Sequence, residues 1–401
     1  MGLFEANKEL LGLTKSIEPW ILERRRRLHQ CPELLYELHE TSSVVCETLD
    51  SLGVAYQKGV AETGVLATIG NGGSSCIMLR ADMDALPIAE AADVEFRSRN
   101  EGQMHACGHD CHTAMLLGAA KLLKEREHEL PATVKLCFQP AEEGGAGAKR
   151  MCDEGVMDDP SVSKVFGLHV WPMIPTGQLT GRPGAFLAAA NAFEIRVKGK
   201  GGHAAMPHLC VDPVVTAAKI VTSLQSIISR EQNALEPAVI SFTGIDAEST
   251  YNVIPSEVTI RGTVRSLSSD NKDHLKVRLA EAASAMALAD RCEAEFVTVE
   301  EDYPTTFNDL ELWDTVHGFG EKLVGEGNFD LCDPILGGED FAFYGAYAPS
   351  CMVALGCGNE SKGCTYGLHH PQFKVDEDAL HIGTALHLAF VSEHVGVHWR
   401  H

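Results

Sequence analysis

The sequence predicts an α/β protein: a mixed central sheet flanked by helices, with a smaller α+β unit inserted into it. Three observations predict this. In the first half of the chain short apolar runs (GVLATIG, SSCIMLRADMD, ATVKLCFQP, KVFGLHV) alternate with helical stretches, the rhythm of a sheet covered by helices. Between about 190 and 302 the rhythm becomes strand, helix, two strands, helix, strand, and afterwards the α/β pattern resumes. At 401 residues the chain also exceeds the size that one core usually serves. The expected division is 1–188 with 303–401 as the larger unit, and 189–302 as the inserted one.

Each element has its own signal. From about Ser16 to Leu52 apolar residues recur with helical spacing and stop at Gly53, a helix-ending residue. The turn Asn71-Gly72-Gly73 separates the first two strands, and the second ends in Asp82 and Asp84 before Pro87. The next helix, HTAMLLGAAKLLKERE, carries Met115, Leu116, Ala119, Leu122 and Leu123 on one face. ATVKLCFQP runs into Glu142-Glu143 and a glycine-rich turn, and KVFGLHV ends on the metal-capable His169. Functional groups at the carboxyl ends of strands are where such sheets place their sites. The inserted unit reads as NAFEIRVKG, a helix begun by Asp212 and Pro213, AVISFTGI, EVTIRGTVRSL, a second helix opened by Ser269 or Asp270, and the closing strand CEAEFVTVEE. That order is the split-βαβ or ferredoxin-like arrangement. LELWDTVHGFGEKLV, CMVALG and a helix from about Asp376 to Val395 complete the larger unit.

Composition excludes several classes. A formal net charge of −23 argues against nucleic acid, whose phosphates reward clustered Lys and Arg. The basic run Arg24–Arg27 reads as the solvated face of a helix. No apolar stretch approaches the roughly 18 residues needed to span a bilayer. The N-terminus MGLFEANKEL has no signal-peptide core, and Ala6 stands where myristoylation wants Ser or Thr. The cysteines, thirteen in number and without framework spacing, fit free thiols in a reducing compartment. The expectation is a cytoplasmic protein with no membrane partner.

The chemistry concentrates in M-H-A-C-G-H-D-C-H, Met104 to His112. Cys107 and His109 flank a single glycine, which lets the backbone turn tightly and aim thiolate and imidazole at one point. Glu143, His169 and His369 each stand at a strand end or in a Gly/Pro-bounded loop, where side chains can converge. Adjacent glutamates cannot readily point the same way, so they suit two tasks: Glu143 as a metal ligand and Glu142 as a general base. Asp82, Asp84 and Asp110 are candidates to accept the far N–H of metal-bound imidazoles, or they are simply turn formers. A mixed Cys/His/Glu donor set suits zinc, while carboxylate-containing two-metal sites also accept manganese or cobalt.

Taken together RADMDALP, MHACGHDCHTA, QPAEEGGAGA, GLHV, GKGGHAAMPH, YNVIP, GGEDF and LHHP resemble the M20 metallopeptidase family. The likeness is greatest to its amidohydrolase branch of N-acyl-amino-acid, hippurate and indole-3-acetyl-amino-acid hydrolases. The resemblance implies two divalent metal ions held by Cys107, His109, Glu143, His169 and His369, with Glu142 catalytic; which ligand bridges them it leaves open. It also implies a homodimer formed through the inserted domain, with His203 polarising the scissile carbonyl in the partner's site. Asn252 and Arg265 would hold the substrate, Arg265 pairing with its free carboxylate; an ordinary strand salt bridge is the alternative for Arg265. The implied reaction is hydrolysis of the amide of an N-acyl amino acid, with auxin-conjugate hydrolysis or small-peptide carboxypeptidase action as alternatives. Two readings compete from the residues alone. One is a thiol hydrolase with Cys107 as nucleophile and His105 or His109 as base; the other is a non-catalytic, metal-dependent binding protein.

Overall fold

The computed structural model describes residues 3–70, 72–73, 75–299, 301–397 and 399. Asn71 of the expected turn, Gly2 of the N-terminal motif and Glu300 of the expected closing strand lie outside the described residues. The chain divides into two compact units. Unit 1 takes in Met1–Gly184, Phe307–Asp333 and Asp340–His401; unit 2 takes in Ala185–Thr306 and Pro334–Glu339. Unit 2 therefore runs a few residues past both ends of the 189–302 expected and adds the separate segment Pro334–Glu339.

The first part of the chain forms α1 (Leu3–Ser16), α2 (Glu18–His29), α3 (His39–Leu52), β1 (Ala55–Val60), β2 (Gly64–Ile69), β3 (Cys76–Asp82) and α4 (His109–Glu125). It continues with β4 (Thr133–Gln139), α5 (Gly147–Asp153), β5 (Lys164–Pro175) and β6 (Leu179–Gly181). The middle forms β7 (Gly184–Leu187), β8 (Ala189–Lys198), β9 (Gly202–His203), α6 (Pro213–Ser226), β10 (Ala238–Asp246), β11 (Val253–Ile254), β12 (Glu257–Ser266), α7 (Ser269–Ala289) and β13 (Glu293–Thr298). The chain returns through β14 (Thr306–Asn308), α8 (Leu310–Val324), β15 (Phe329–Leu331), β16 (Ser350–Gly358) and α9 (Leu380–Val395).

Unit 1 is built on an eight-stranded mixed sheet in the order β1-β2-β4-β3-β5-β16-β6-β15. Its centre is parallel (β4 with β3, β3 with β5, β5 with β16) and its flank β1-β2-β4 is antiparallel. Strands in such a centre are covered on both faces and read as continuous apolar runs; β3 and β4 are buried at every position. Because β3, β4 and β5 run the same way, their carboxyl ends meet at one edge of the sheet. That edge receives Asp82 and the Glu142-Glu143 turn; β5 runs on to Pro175, so His169 lies within the strand and not at the strand end expected. In unit 2 a four-stranded sheet, β10-β12-β8-β13, has antiparallel neighbours throughout. Alternate residues of β8 and β12 are buried in a core shared with α6 and α7. Helix α6 starts where Asp212 accepts the Val214 and Val215 N–H groups and Pro213 takes the first turn.

Several expectations need correction. The stretch from Ser16 to Leu52 is two helices, because Pro32 and a left-handed Leu35 (φ 50°) interrupt it. The final helix begins at Leu380, since Asp376 caps a single tight turn ahead of it by accepting Asp378 N–H. Helix α7 is capped by Ser268, whose side chain accepts Asn271 N–H. The run Arg24–Arg27 is not simply a solvated face. Arg25 is buried, with Nε 2.9 Å from Asp110 and Nη1 3.2 Å from Glu377. Among the described residues no helix is long and apolar enough to cross a membrane.

Candidate active site

The site forms in unit 1 because tight backbone turns bring strand ends and a helix start together. Gly108 is left-handed (φ 89°) at the head of α4, and a Cβ there would lie 2.3 Å from Val170 Cγ2. Only glycine lets Cys107 and His109 flank this turn against β5. Beyond β4, Ala141 holds φ 57° just before Glu142, and His369 holds φ 62° with its N–H bonded to Ala106 O at 2.9 Å. Non-glycine residues held in this conformation persist where the surrounding structure dictates them, often at functional sites.

These turns bring all five candidate ligands together in two overlapping groups. Ligand atoms of Cys107, His109 and His169 lie within 4.8 Å of one another, and so do those of Cys107, Glu143 and His369. Cys107 belongs to both; its Sγ is 3.4 Å from His169 Nε2. His369 Nε2 is 3.3 Å from Glu143 Oε1. Glu142 stands in a third group with His109 and Glu143.

The environment of these groups calls for a cation. His109 Nε2 is buried without a hydrogen-bond partner among the described residues. Burial by itself would pull the His109 imidazolium down, yet the carboxylates of Asp82, Asp84 and Glu143 outweigh it and push His109 up to about 10. Burial would likewise raise Glu143, but the hydrogen bond from His369 and the charge of His109 hold it below the usual carboxylate range. His169 is driven well down by burial and by neighbouring histidines, which favours the neutral imidazole that binds metals. Thiolate, imidazole and carboxylate donors converging at one point fit a divalent metal site.

Supporting residues hold this geometry. Asp84 Oδ1 accepts Glu142 N–H at 3.0 Å and faces His109 Nδ1 at 3.3 Å, while Oδ2 accepts Glu143 N–H at 3.0 Å. One carboxylate thus sets both glutamates and one imidazole. Asp82 instead accepts from His112 Nδ1 at 2.6 Å and from Arg80 Nη1 at 2.9 Å; its Oδ2 is 3.5 Å from His109 Nε2. Asp110 turns away from the candidate ligands, meeting His29 Nδ1 at 2.7 Å and Arg25. His105 is buried with neither ring nitrogen bonded among the described residues. Sequence reasoning passed over His112 and Arg80; the available signal was the spacing of His109 and His112, three apart on one helix face.

Unit 2 carries the remaining candidates. His203 on β9 pairs with Val253 on β11, and Ala204 N–H bonds Asn252 O at 2.9 Å. His203 Nδ1 accepts Ala205 N–H at 3.1 Å, so the neutral ring carries its proton on Nε2 as an outward donor. Arg265 on β12 donates Nη1 to Leu336 O at 3.0 Å and forms no ion pair among the described residues.

The sequence profile of Peptidase family M20/M25/M40 matches residues 78–393. The chain belongs to this family. It is 40% identical over 399 residues to the IAA-amino acid hydrolase ILR1-like 4 of Arabidopsis thaliana, covering 98% of this chain and 90% of that protein. It is 37% identical to the N-acetyl-L-cysteine deacetylase of Bacillus subtilis (strain 168), covering 91% of this chain and 86% of the relative. The crystal structure of the Bacillus subtilis YXEP protein, a dinuclear metal binding peptidase from the M20 family, superposes with a TM-score of 0.80 at 32% identity. It covers 95% of this chain and 99% of that one. Family membership and these relatives make the protein a metal-dependent amide hydrolase with a large mixed sheet flanked by helices.

Proposed function

We propose that the protein hydrolyses the amide bond of N-acyl amino acids at a two-metal site that Cys107, His109, Glu143, His169 and His369 would hold. The observation that carries this is the pair of three-ligand groups sharing one thiolate, with Glu142 beside them. The relatives' printed substrates, an IAA-amino acid and N-acetyl-L-cysteine, are both acylated amino acids. Cys107 would stand with His109 and His169 in one group and with Glu143 and His369 in the other; zinc suits the donor set, with manganese or cobalt as alternatives. When bound, the ions supply Lewis acidity, lowering the pKa of a water and polarising the scissile carbonyl.

The chain's own groups do the rest. Glu142, its amide held by Asp84, takes the proton of the attacking water and passes it to the leaving nitrogen. His203 offers its Nε2–H to the oxyanion across a homodimer formed through unit 2, which acts as dimerisation and lid domain. Asn252 and Arg265 hold the substrate, Arg265 pairing with its free carboxylate. The thirteen cysteines, spread without framework spacing, favour the cytoplasm.

The test is release of free amino acid from N-acetyl, N-benzoyl and indole-3-acetyl amino acids and from a dipeptide, with zinc or manganese added and then chelated. Glu142→Gln should keep its metal and lose about 10²–10⁴-fold in kcat. Near-normal turnover in that variant removes Glu142 from its role, and turnover that survives chelation but not thiol alkylation restores Cys107 as a nucleophile.

A further inference from the structure

His112 stands among the candidate ligands, yet both of its nitrogens are engaged. Nδ1 lies 2.6 Å from Asp82 Oδ1, and Nε2 accepts Val170 N–H at 2.9 Å. An amide N–H can only donate, so Nε2 carries the lone pair and Nδ1 the proton that Asp82 accepts. The other oxygen of Asp82 accepts from Arg80 Nη1 at 2.9 Å, and Arg80 Nη2 donates to Asp340 Oδ1 at 2.9 Å. All four side chains are no more than 1% exposed. Asp82, His109 and His112 do offer ligand atoms within 4.8 Å, but a nitrogen that accepts an amide proton has no lone pair left for a cation.

The sheet explains why a histidine is needed at this point. Strand β3 pairs with β5 from Ile77↔Lys164 to Arg80↔Gly167 and then leaves it. Three residues further on, the amide of Val170 goes to the His112 ring, so a side chain continues the ladder where β5 delivers His169. The Val170 carbonyl accepts His169 Nδ1 at 2.7 Å, which leaves Nε2 toward Cys107 Sγ, 3.4 Å away. The rings of His112 and His169 pack edge to face with centroids 4.6 Å apart.

We propose that His112 is a positioning residue for the ion held by His169. It pins the Val170 peptide and hence the His169 imidazole, and the chain Asp340–Arg80–Asp82 fixes its own tautomer. The inference rests on the two-ion reading above, and it concerns only one of the two ions. Outer partners of this kind orient ligands and tune affinity without touching the metal.

Two substitutions separate the two bonds. His112→Gln can place an acceptor oxygen near the former Nε2, keeping Val170 bonded. His112→Asn keeps a donor near Nδ1 and leaves the Val170 amide bare. Metal-stripped protein is titrated with zinc by calorimetry, and the visible spectrum of the cobalt-loaded protein is recorded. Wild type should show two binding steps. His112→Asn should still bind two ions but weaken one step by about tenfold to a hundredfold, with a shifted cobalt–thiolate band, while His112→Gln regains most of that affinity. Should His112→Asn fail to fold, Asp82→Asn, which withdraws the acceptor from Nδ1, should weaken the same step. Stoichiometry falling to one would make His112 a ligand and overturn the proposal. Equal weakening of both steps alongside lowered metal-free stability would make it merely structural and also overturn it. A wild type with two steps and indifferent variants sinks this inference alone; a wild type that takes up no zinc sinks the two-ion reading with it.

Discussion

Replacing Asp84 by asparagine changes one oxygen to an amide group and almost nothing else in shape. In the native site both oxygens are occupied: one accepts Glu142 N–H at 3.0 Å and faces His109 at 3.3 Å, the other accepts Glu143 N–H at 3.0 Å. Whichever way the new amide is turned, its NH2 must meet a backbone N–H, leaving one donor without an acceptor. A buried unsatisfied donor costs about 1–3 kcal/mol. Asp84→Ala strands both amides, about 2–6 kcal/mol on the same reasoning; the part-buried position of the Glu143 amide pulls the sum toward the lower end. Urea unfolding of metal-stripped protein, extrapolated linearly to water, measures both variants. Zinc titration should show affinity reduced by roughly tenfold to a hundredfold, because the Glu143 and His109 donors are no longer held. If asparagine is as stable as wild type, or alanine no worse than asparagine, the carboxylate does not organise the turn and the argument fails.

Two further outcomes concern stability away from the ligands. Arg25→Met leaves Asp110 buried without its guanidinium and should cost about 3–5 kcal/mol in urea unfolding. Arg27→Met, which disturbs only the exposed pair with Glu47, should cost no more than about 1 kcal/mol; equal effects would return the whole run to the solvent. In unit 2, Asp302 pairs with Lys272 at 3.0 Å and with Lys276. Burial alone would raise its carboxyl, but the two lysines hold it below the usual range. Its folded pKa therefore lies under the unfolded value of about 4, so its contribution is whole above that pH and is lost as pH falls through the depressed value. Asp302→Asn should be less stable than wild type at pH 7 by at most about 1 kcal/mol, the gap closing in acid. A gap that widens in acid reverses the sign and removes the pair from the account.

What the sequence determined by itself is what a few neighbouring residues can determine. Gly108 between a thiolate and an imidazole has to turn. Asp212-Pro213 has to start a helix, and Gly53 has to end one. The apolar runs of β3 and β4 belong in the middle of a covered sheet, whereas β1, AYQKGV, with its mostly exposed side chains, gives no such sign. Partners far apart in the chain were decided only by the tertiary structure. Arg25 reads as one more surface arginine until packing sets it against Asp110 and Glu377. Asp110 reads as a support for a metal ligand until His29 claims it. Cys107 becomes common to two groups of candidate ligands only when β5, the Glu143 turn and the His369 loop converge on it. His112 meets the Val170 amide only because β3 parts from β5 three residues before it. Periodicity and capping act over one or two turns of chain, but burial and hydrogen-bond satisfaction are settled by whichever distant groups the sheet brings within 3 Å, and no local pattern encodes that choice.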